Sequence, residues 1–205
     1  MARESEGEKP AATQTEAYSE RLAELSDARW KRWLGVQLPY RMHLRRLRLG
    51  FVLDLGCGIG RNLLHLGQSG IGVDPNPQSV ARARARGCRA FVPEVFLDSE
   101  FAQPGRFDTL LVAHVLEHLE PEAASALLRQ YAVFVRSGGR VVLITPQEAG
   151  YRSDPTHASF VDRERLRQLL VDAGAEPLSS YSFPLPRFCG RLFPHNEFVA
   201  IGGRP

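Results

Sequence analysis

The chain has 205 residues, 43% of them apolar and 24% charged, with a formal net charge of +3. That balance suits a single globular core and excludes a fibrous or strongly polar unfolded chain. No stretch approaches the roughly 20 consecutive apolar residues of a membrane helix, and polar residues 1–10 have no apolar run behind them, so neither a span nor a secretory leader is expected.

Residues 1–14, rich in Glu, Ala, Thr and Lys, show no periodicity and are expected to form a disordered tail. From Thr15 the apolar residues Tyr18, Leu22 and Leu25, then Trp30, Trp33 and Leu34, recur at helical spacing until Pro39 interrupts them. A second helix is expected over 42–49, stopped by Gly50. Residues 15–49 therefore form a helical extension ahead of a main domain over 50–205. Arg41, Arg45, Arg46 and Arg48 are either the solvated face of a helix or a strip for phosphate.

Beyond Gly50 the pattern changes. Short apolar runs at 51–55, 70–74, 89–93, 107–113 and 140–145 read as buried strands. Helical patterns at 62–67, 77–87, 121–134 and 162–173 separate them, and two late strands are expected at 176–183 and 197–202. Strands alternating with helices predict an α/β fold with a parallel sheet and right-handed crossovers. The last two strands are close enough to pair antiparallel at one edge. Cys57, Cys88 and Cys189 are far apart and odd in number, with neither a disulfide framework nor metal-site spacing. A reducing cytoplasm is expected, and no metal.

The run Asp54-Leu55-Gly56-Cys57-Gly58-Ile59-Gly60 sits where the first strand hands over to a helix. Glycines at 56, 58 and 60 let the backbone turn sharply and approach a ligand, and helix N-terminal amides can donate to it. Asp74, ending the next strand, is placed to grip ribose hydroxyls. A dinucleotide loop would need Gly-x-Gly-x-x-Gly; here Gly60 comes one residue early and Arg61 follows.

This run resembles motif I of the class I S-adenosylmethionine (SAM)-dependent methyltransferases, and the resemblance continues in family order from about Tyr40 to Gly203. It implies a Rossmann-like, seven-stranded, mostly parallel sheet with an antiparallel last strand, helices on both faces and SAM as cofactor. By resemblance Asp54, Gly56, Cys57, Gly58, Gly60 and Asn62 belong to the cofactor loop. Gly72-Val73-Asp74-Pro75-Asn76 resembles motif II, which implies Asp74 on the ribose and Pro75 or Asn76 beside the adenine. Residues 91–95 fall where the family has an acidic residue near the adenine amine, implying Glu94 with a backbone amide from Val95; the usual small-residue–Asp pair is absent. Residues 107–119 resemble motif IV, so Ala113 and His114 would line the methionine end, and 137–144 resemble motif VI. The N-terminal helices would form a lid, onto or with which Trp30 and Trp33 pack.

Methyl transfer is an in-line displacement with a neutral thioether leaving group, so alignment carries most of the catalysis, and a base helps for a hydroxyl or amine. His118 and His157 are the candidate bases, since imidazole titrates near neutrality; either can instead be a packing or loop-stabilising residue. Tyr151, Arg152 and Asp154 precede His157 in the segment after the fifth strand, where substrate loops emerge. Asp154 can equally cap a turn and Arg152 can be a surface residue. The expected acceptor is a small molecule of the sugar, quinone-like, polyketide-like or lipid-linked kind. Without an Asn/Asp-Pro-Pro-Tyr motif or a large basic block, an RNA or protein acceptor is the alternative, as is SAM binding without catalysis. The partners expected are the small acceptor and no nucleic acid or membrane, with a homodimer left open.

Overall fold

The structure, a computed structural model, describes residues 38–205. The expected tail at 1–14 and the lid segment with Trp30 and Trp33 lie outside the described residues.

The description opens on helix α1, Leu38–Arg46. Pro39 stands in its first turn, where a residue has no intrahelical N–H bond to lose. Then follow β1 (Val52–Leu55), α2 (Arg61–His65), β2 (Gly70–Val73), α3 (Pro77–Ala85), β3 (Ala90–Phe91), α4 (Pro93–Leu97) and β4 (Phe107–Ala113). A 3-10 turn, Leu116–His118, leads to α5 (Pro121–Ala132), β5 (Val135–Pro146), α6 (Glu148–Arg152), α7 (Arg163–Asp172) and β6 (Glu176–Phe183). A second 3-10 turn, Arg187–Arg191, precedes β7 (Glu197–Gly203).

The seven strands form one sheet in the order β3-β2-β1-β4-β5-β7-β6. Strands β1 to β5 pair in parallel, and β7 runs antiparallel to both β5 and β6. This is the expected Rossmann-like sheet. The last two strands pair antiparallel at one edge as expected, with β7 between β5 and β6, so β6 is the edge.

Three differences from the expected elements bear on the site. Strand β3 has two residues, because Pro93 cannot donate to the ladder and starts α4 instead, which places Glu94 and Val95 on a helix. Strand β5 begins at Val135, five residues earlier than the apolar run indicates. Tyr151 and Arg152 lie on α6, a one-turn helix, rather than in a loop.

Alternation along each strand splits the core in two. Leu53, Val73, Leu110, Val141 and Phe198 face α4, α5 and α7, meeting Phe96, Leu128 and Leu169. Val52, Leu111, Val142 and Val199 face the other way, onto Leu44 of α1. On that same face α2 and α3 cover β2 through Leu63, Val80 and Ala83. Helix α1 is also held by His43, which stacks on Phe183 at 4.0 Å and hydrogen-bonds the Tyr181 hydroxyl at 2.6 Å. The chain order reverses between β1 and β4, and a crevice at their carboxyl ends is where such sheets bind ligands.

Candidate functional site

The first wall of the crevice is the loop from β1 to α2. Gly56 has φ +73° and no room for a side chain: a Cβ there would lie 2.1 Å from Val115 Cγ2. The glycine therefore lets the loop pass directly against the segment that follows β4. The amides of Gly56 and Cys57 donate to the Val73 carbonyl, at 2.8 and 3.1 Å. The Gly58 amide donates to Asp74 Oδ2 at 2.8 Å, and the Asn76 amide to Asp74 Oδ1 at 2.9 Å. Asp74 thus ties the glycine loop to the end of β2, while its carboxylate retains lone pairs for a ligand.

Cys57 turns its side chain away from the crevice. Its thiol packs over Gly72, where a Cβ would stand 2.5 Å from the sulfur. Burial, followed by the charges of Asp54 and Asp74, holds that thiol well above its ordinary pKa, so Cys57 offers a ligand only its backbone. Gly60, at φ +79°, sits at the start of α2. Asn76 caps α3 by accepting from the amides of Gln78 and Ser79, so its side chain is committed to the helix. Pro75 next to it is exposed. Glu94 and Val95 are exposed on the first turn of α4.

Asp54 lies beneath the loop, fully buried at 0% exposure. Its Oδ1 accepts from Asn62 Nδ2 at 3.3 Å, and its Oδ2 has no partner among the described residues. Burial pushes its pKa up to about 7; the Asn62 bond works against this and the charge of Asp74 adds to it. A buried carboxylate with an orphaned oxygen is a receptor for a cation or a donor.

The second wall is the end of β4. Ala113 is partly buried and His114 follows at φ +59°, a region in which L-residues are strained. The His114 ring is bound on both sides, by Glu117 Oε1 at 3.2 Å and Glu197 Oε1 at 2.8 Å. Desolvation opposes its charge, but Glu197 and then Glu117 prevail and raise its pKa to about 10. His114 is therefore a fixed cation at the crevice rather than a proton acceptor at neutral pH.

The two candidate bases come together. His118, in the turn after β4, and His157, after α6, have ring centroids 4.8 Å apart. His157 Nδ1 lies 2.7 Å from the Tyr151 carbonyl, and the Tyr151 ring stacks on it at 5.5 Å. His118 Nδ1 lies 3.1 Å from the Thr156 carbonyl. A carbonyl only accepts, so both rings carry their proton on Nδ1 and present the Nε2 lone pair. Asp154 Oδ1 accepts from the Thr156 amide and hydroxyl, at 3.0 and 2.7 Å, and so shapes the turn that holds His118. Arg152 donates to the Arg191 carbonyl at 3.1 Å, away from the histidine pair.

With this geometry in place, the comparisons with known proteins can be read. Residues 26–180 match the model of a family described as a methyltransferase domain. The chain belongs to the class I SAM-dependent methyltransferases. A curated relative, the ubiquinone biosynthesis O-methyltransferase of Xanthomonas euvesicatoria pv. vesicatoria (strain 85-10), is 31% identical over 118 residues. That match takes in 54% of this chain and spans about half, 48%, of the relative's length. Among solved structures, a SAM-dependent methyltransferase from Archaeoglobus fulgidus superposes with a TM-score of 0.67 at 21% identity, covering 90% of this chain and 99% of that one. A methyltransferase solved with the Haloferax volcanii Trm112 activator gives 0.69 at 19% identity, covering 96% and 98%. At these identities the superpositions establish the fold alone.

SAM is the cofactor of this family, and the crevice suits it. The orphaned Asp54 oxygen answers a ligand that carries two cations, a sulfonium and an ammonium. The glycine loop leaves its backbone open to close approach, and Asp74 stands at the end of β2. Residue reading along the chain did not single out Glu117, Glu197 or Gln147. All three are buried polar residues, with Gln147 bonding the Glu197 carbonyl at 2.8 Å. A buried charge implies a partner, but burial itself is not visible in one sequence.

Proposed function

We propose that the chain transfers the methyl group of SAM to a hydroxyl of a small acceptor of the sugar, quinone-like, polyketide-like or lipid-linked kind. The observation that carries the reading is the His118–His157 pair, both Nδ1 atoms held by backbone carbonyls, next to a loop built for the cofactor. The 31% identical relative is an O-methyltransferase, which favours oxygen over nitrogen as the nucleophile.

When bound, SAM supplies a methyl group on a sulfonium. Asp54 and the glycine loop hold the amino-acid end, and Asp74 holds the ribose. Val115, packed on Gly56, connects the cofactor loop to the turn that carries His118. The acceptor hydroxyl docks against the histidine pair, with Tyr151 and the Asp154 turn shaping its pocket. A ring Nε2 would take the hydroxyl proton as the acceptor oxygen receives the methyl group, for which bound SAM would supply a neutral thioether leaving group. Alignment and exclusion of water provide the larger share of the rate.

A screen of hydroxylated acceptors with methyl-labelled SAM tests the reading. Labelled product is expected from at least one hydroxyl class, and His157→Ala should lower turnover by about 10²–10⁴-fold while leaving SAM affinity intact. Wild-type turnover retained in that variant would remove His157 from the mechanism. A second reading, a nucleic-acid acceptor, rests on the arginines around His65. Arg61, Arg41, Arg45 and Arg86, added to burial, lower its pKa to about 4. RNA belongs in the same screen, and label on RNA alone would favour that reading.

A further inference from the structure

Glu117 completes a cluster with His118 and His157, and the proton transfer proposed for the histidine pair gives Glu117 no role. Each offers one ligand atom, and those atoms lie within 4.8 Å of one another. They come from two separate segments, the turn after β4 and the loop after α6, so their meeting is a product of the fold.

We infer that this cluster is a binding site for a divalent transition-metal ion of the zinc class, held by two imidazole nitrogens and one carboxylate oxygen at the acceptor side of the crevice. Three observations support it. The first is tautomer. Both rings contact a backbone carbonyl through Nδ1, His157 that of Tyr151 and His118 that of Thr156, which assigns the ring proton to Nδ1 and makes Nε2 the nitrogen with ligand character. Metal-bound histidines are oriented in this way, with the second nitrogen's proton donated to a carbonyl or carboxylate.

The second is charge. Glu117 is at 0% exposure, and its Oε2 has no hydrogen-bond partner among the described residues. Its Oε1 is shared with His114, but that cation has a closer carboxylate in Glu197, at 2.8 Å against 3.2 Å. A buried, half-satisfied carboxylate beside two imidazoles costs stability unless something cationic completes it. The third is support: backbone amides of Ala158 and Ser159 donate to the Glu117 carbonyl at 2.7 and 3.0 Å, which fastens the His157 loop to the Glu117 turn.

The donor set selects the ion. Two nitrogens and one oxygen suit Zn²⁺, Co²⁺ or Mn²⁺ and are a poor match for Mg²⁺ or Ca²⁺, which prefer oxygen alone. Ligands at about 2.1 Å from a tetrahedral ion stand about 3.4 Å apart, so the widest pair draws in by at most about 1.4 Å on loading. Three protein ligands leave a coordination position open, the pattern of a catalytic rather than structural ion. The inference rests on the reading that the acceptor docks over the histidine pair. The acceptor oxygen would take the open position and lose its proton to solvent. It then forms the O–C bond as the C–S bond breaks, and the ion keeps its charge. Loaded, the histidines hold the ion instead of the proton.

The test uses untagged full-length protein stripped with chelator and titrated with Zn²⁺ against a chromophoric indicator, with Co²⁺ as a spectroscopic probe. One equivalent per chain is expected in the micromolar range or tighter, and His157→Asn and Glu117→Gln should each weaken it at least about tenfold. SAM titration of His157→Asn reports on the fold and should match wild type. Zn²⁺ binding absent up to about 1 mM, or present and unmoved by either variant, overturns the site and leaves the methyltransferase reading standing. Zn²⁺ binding as expected in a protein that does not bind SAM does the opposite. Should Glu117→Gln fail to fold, the partly exposed His157→Asn decides alone.

Discussion

Asp54→Asn should abolish a pH dependence of SAM binding. Free of ligand, Asp54 is held at a pKa of about 7 by burial, so near neutrality about half of the molecules carry it protonated. A sulfonium and an ammonium beside the orphaned oxygen favour the carboxylate and lower that pKa on binding. Linkage then sets the sign: binding releases a proton, and affinity rises with pH until it levels above about 7. If the bound pKa falls to about 5 or lower, affinity at pH 6 is about tenfold below the plateau. Calorimetry in two buffers of different ionisation enthalpy reads the proton directly. The α-amino group of SAM itself titrates near 8, and the Asp54→Asn variant, which retains that group alone, provides the subtraction. An unchanged slope in the variant, or uptake rather than release of a proton between pH 5 and 7, would refute the reasoning.

Other outcomes follow from the same geometry. Asp74→Ala removes the carboxylate expected on the ribose and the acceptor for the Gly58 amide; SAM affinity by calorimetry should fall roughly a hundredfold or more, since hydrogen bonds to charged groups contribute about 1.5–3 kcal/mol each. Gly56→Ala must place a Cβ against Val115 at a positive φ and should lower stability by about 2–4 kcal/mol. Gly67→Ala, also at positive φ but with open space around it, should cost only about 1–2 kcal/mol, so equal losses in urea melts would contradict the packing account. His43 and His65 both have pKa values lowered chiefly by burial, His65 to about 4. Between pH 6.5 and 4 the unfolded chain binds protons that the fold excludes, so stability falls with acidification across that window and His65→Gln should flatten the slope. Asp154→Ala frees Thr156 and should reduce turnover with SAM affinity retained, measured by separate kinetic and binding titrations.

The cofactor half of the site was legible along the chain because its chemistry is local. A strand, three glycines and a helix start within seven residues are one structural unit, and Asp74 ends the next strand in line. Backbone conformation decides what such a loop can do, and glycine spacing reports backbone conformation. Side-chain direction is not legible in this way: Cys57 lies in the loop yet points into the core over Gly72, and Asn76 is occupied as a helix cap. Periodicity also misplaced Pro93, whose missing N–H ends β3 and turns Glu94 and Val95 onto α4.

By itself, then, the sequence determined the alternation of strands and helices, the glycine loop, Asp54 and Asp74, and through these the family. The tertiary structure decided what only juxtaposition can decide. It brought His118 to His157 across 39 residues and Glu197 to His114 across 83. It buried Glu117 beside both. Ionisation and ligand geometry depend on distance and on exclusion of water, and neither is a property of neighbours in the chain.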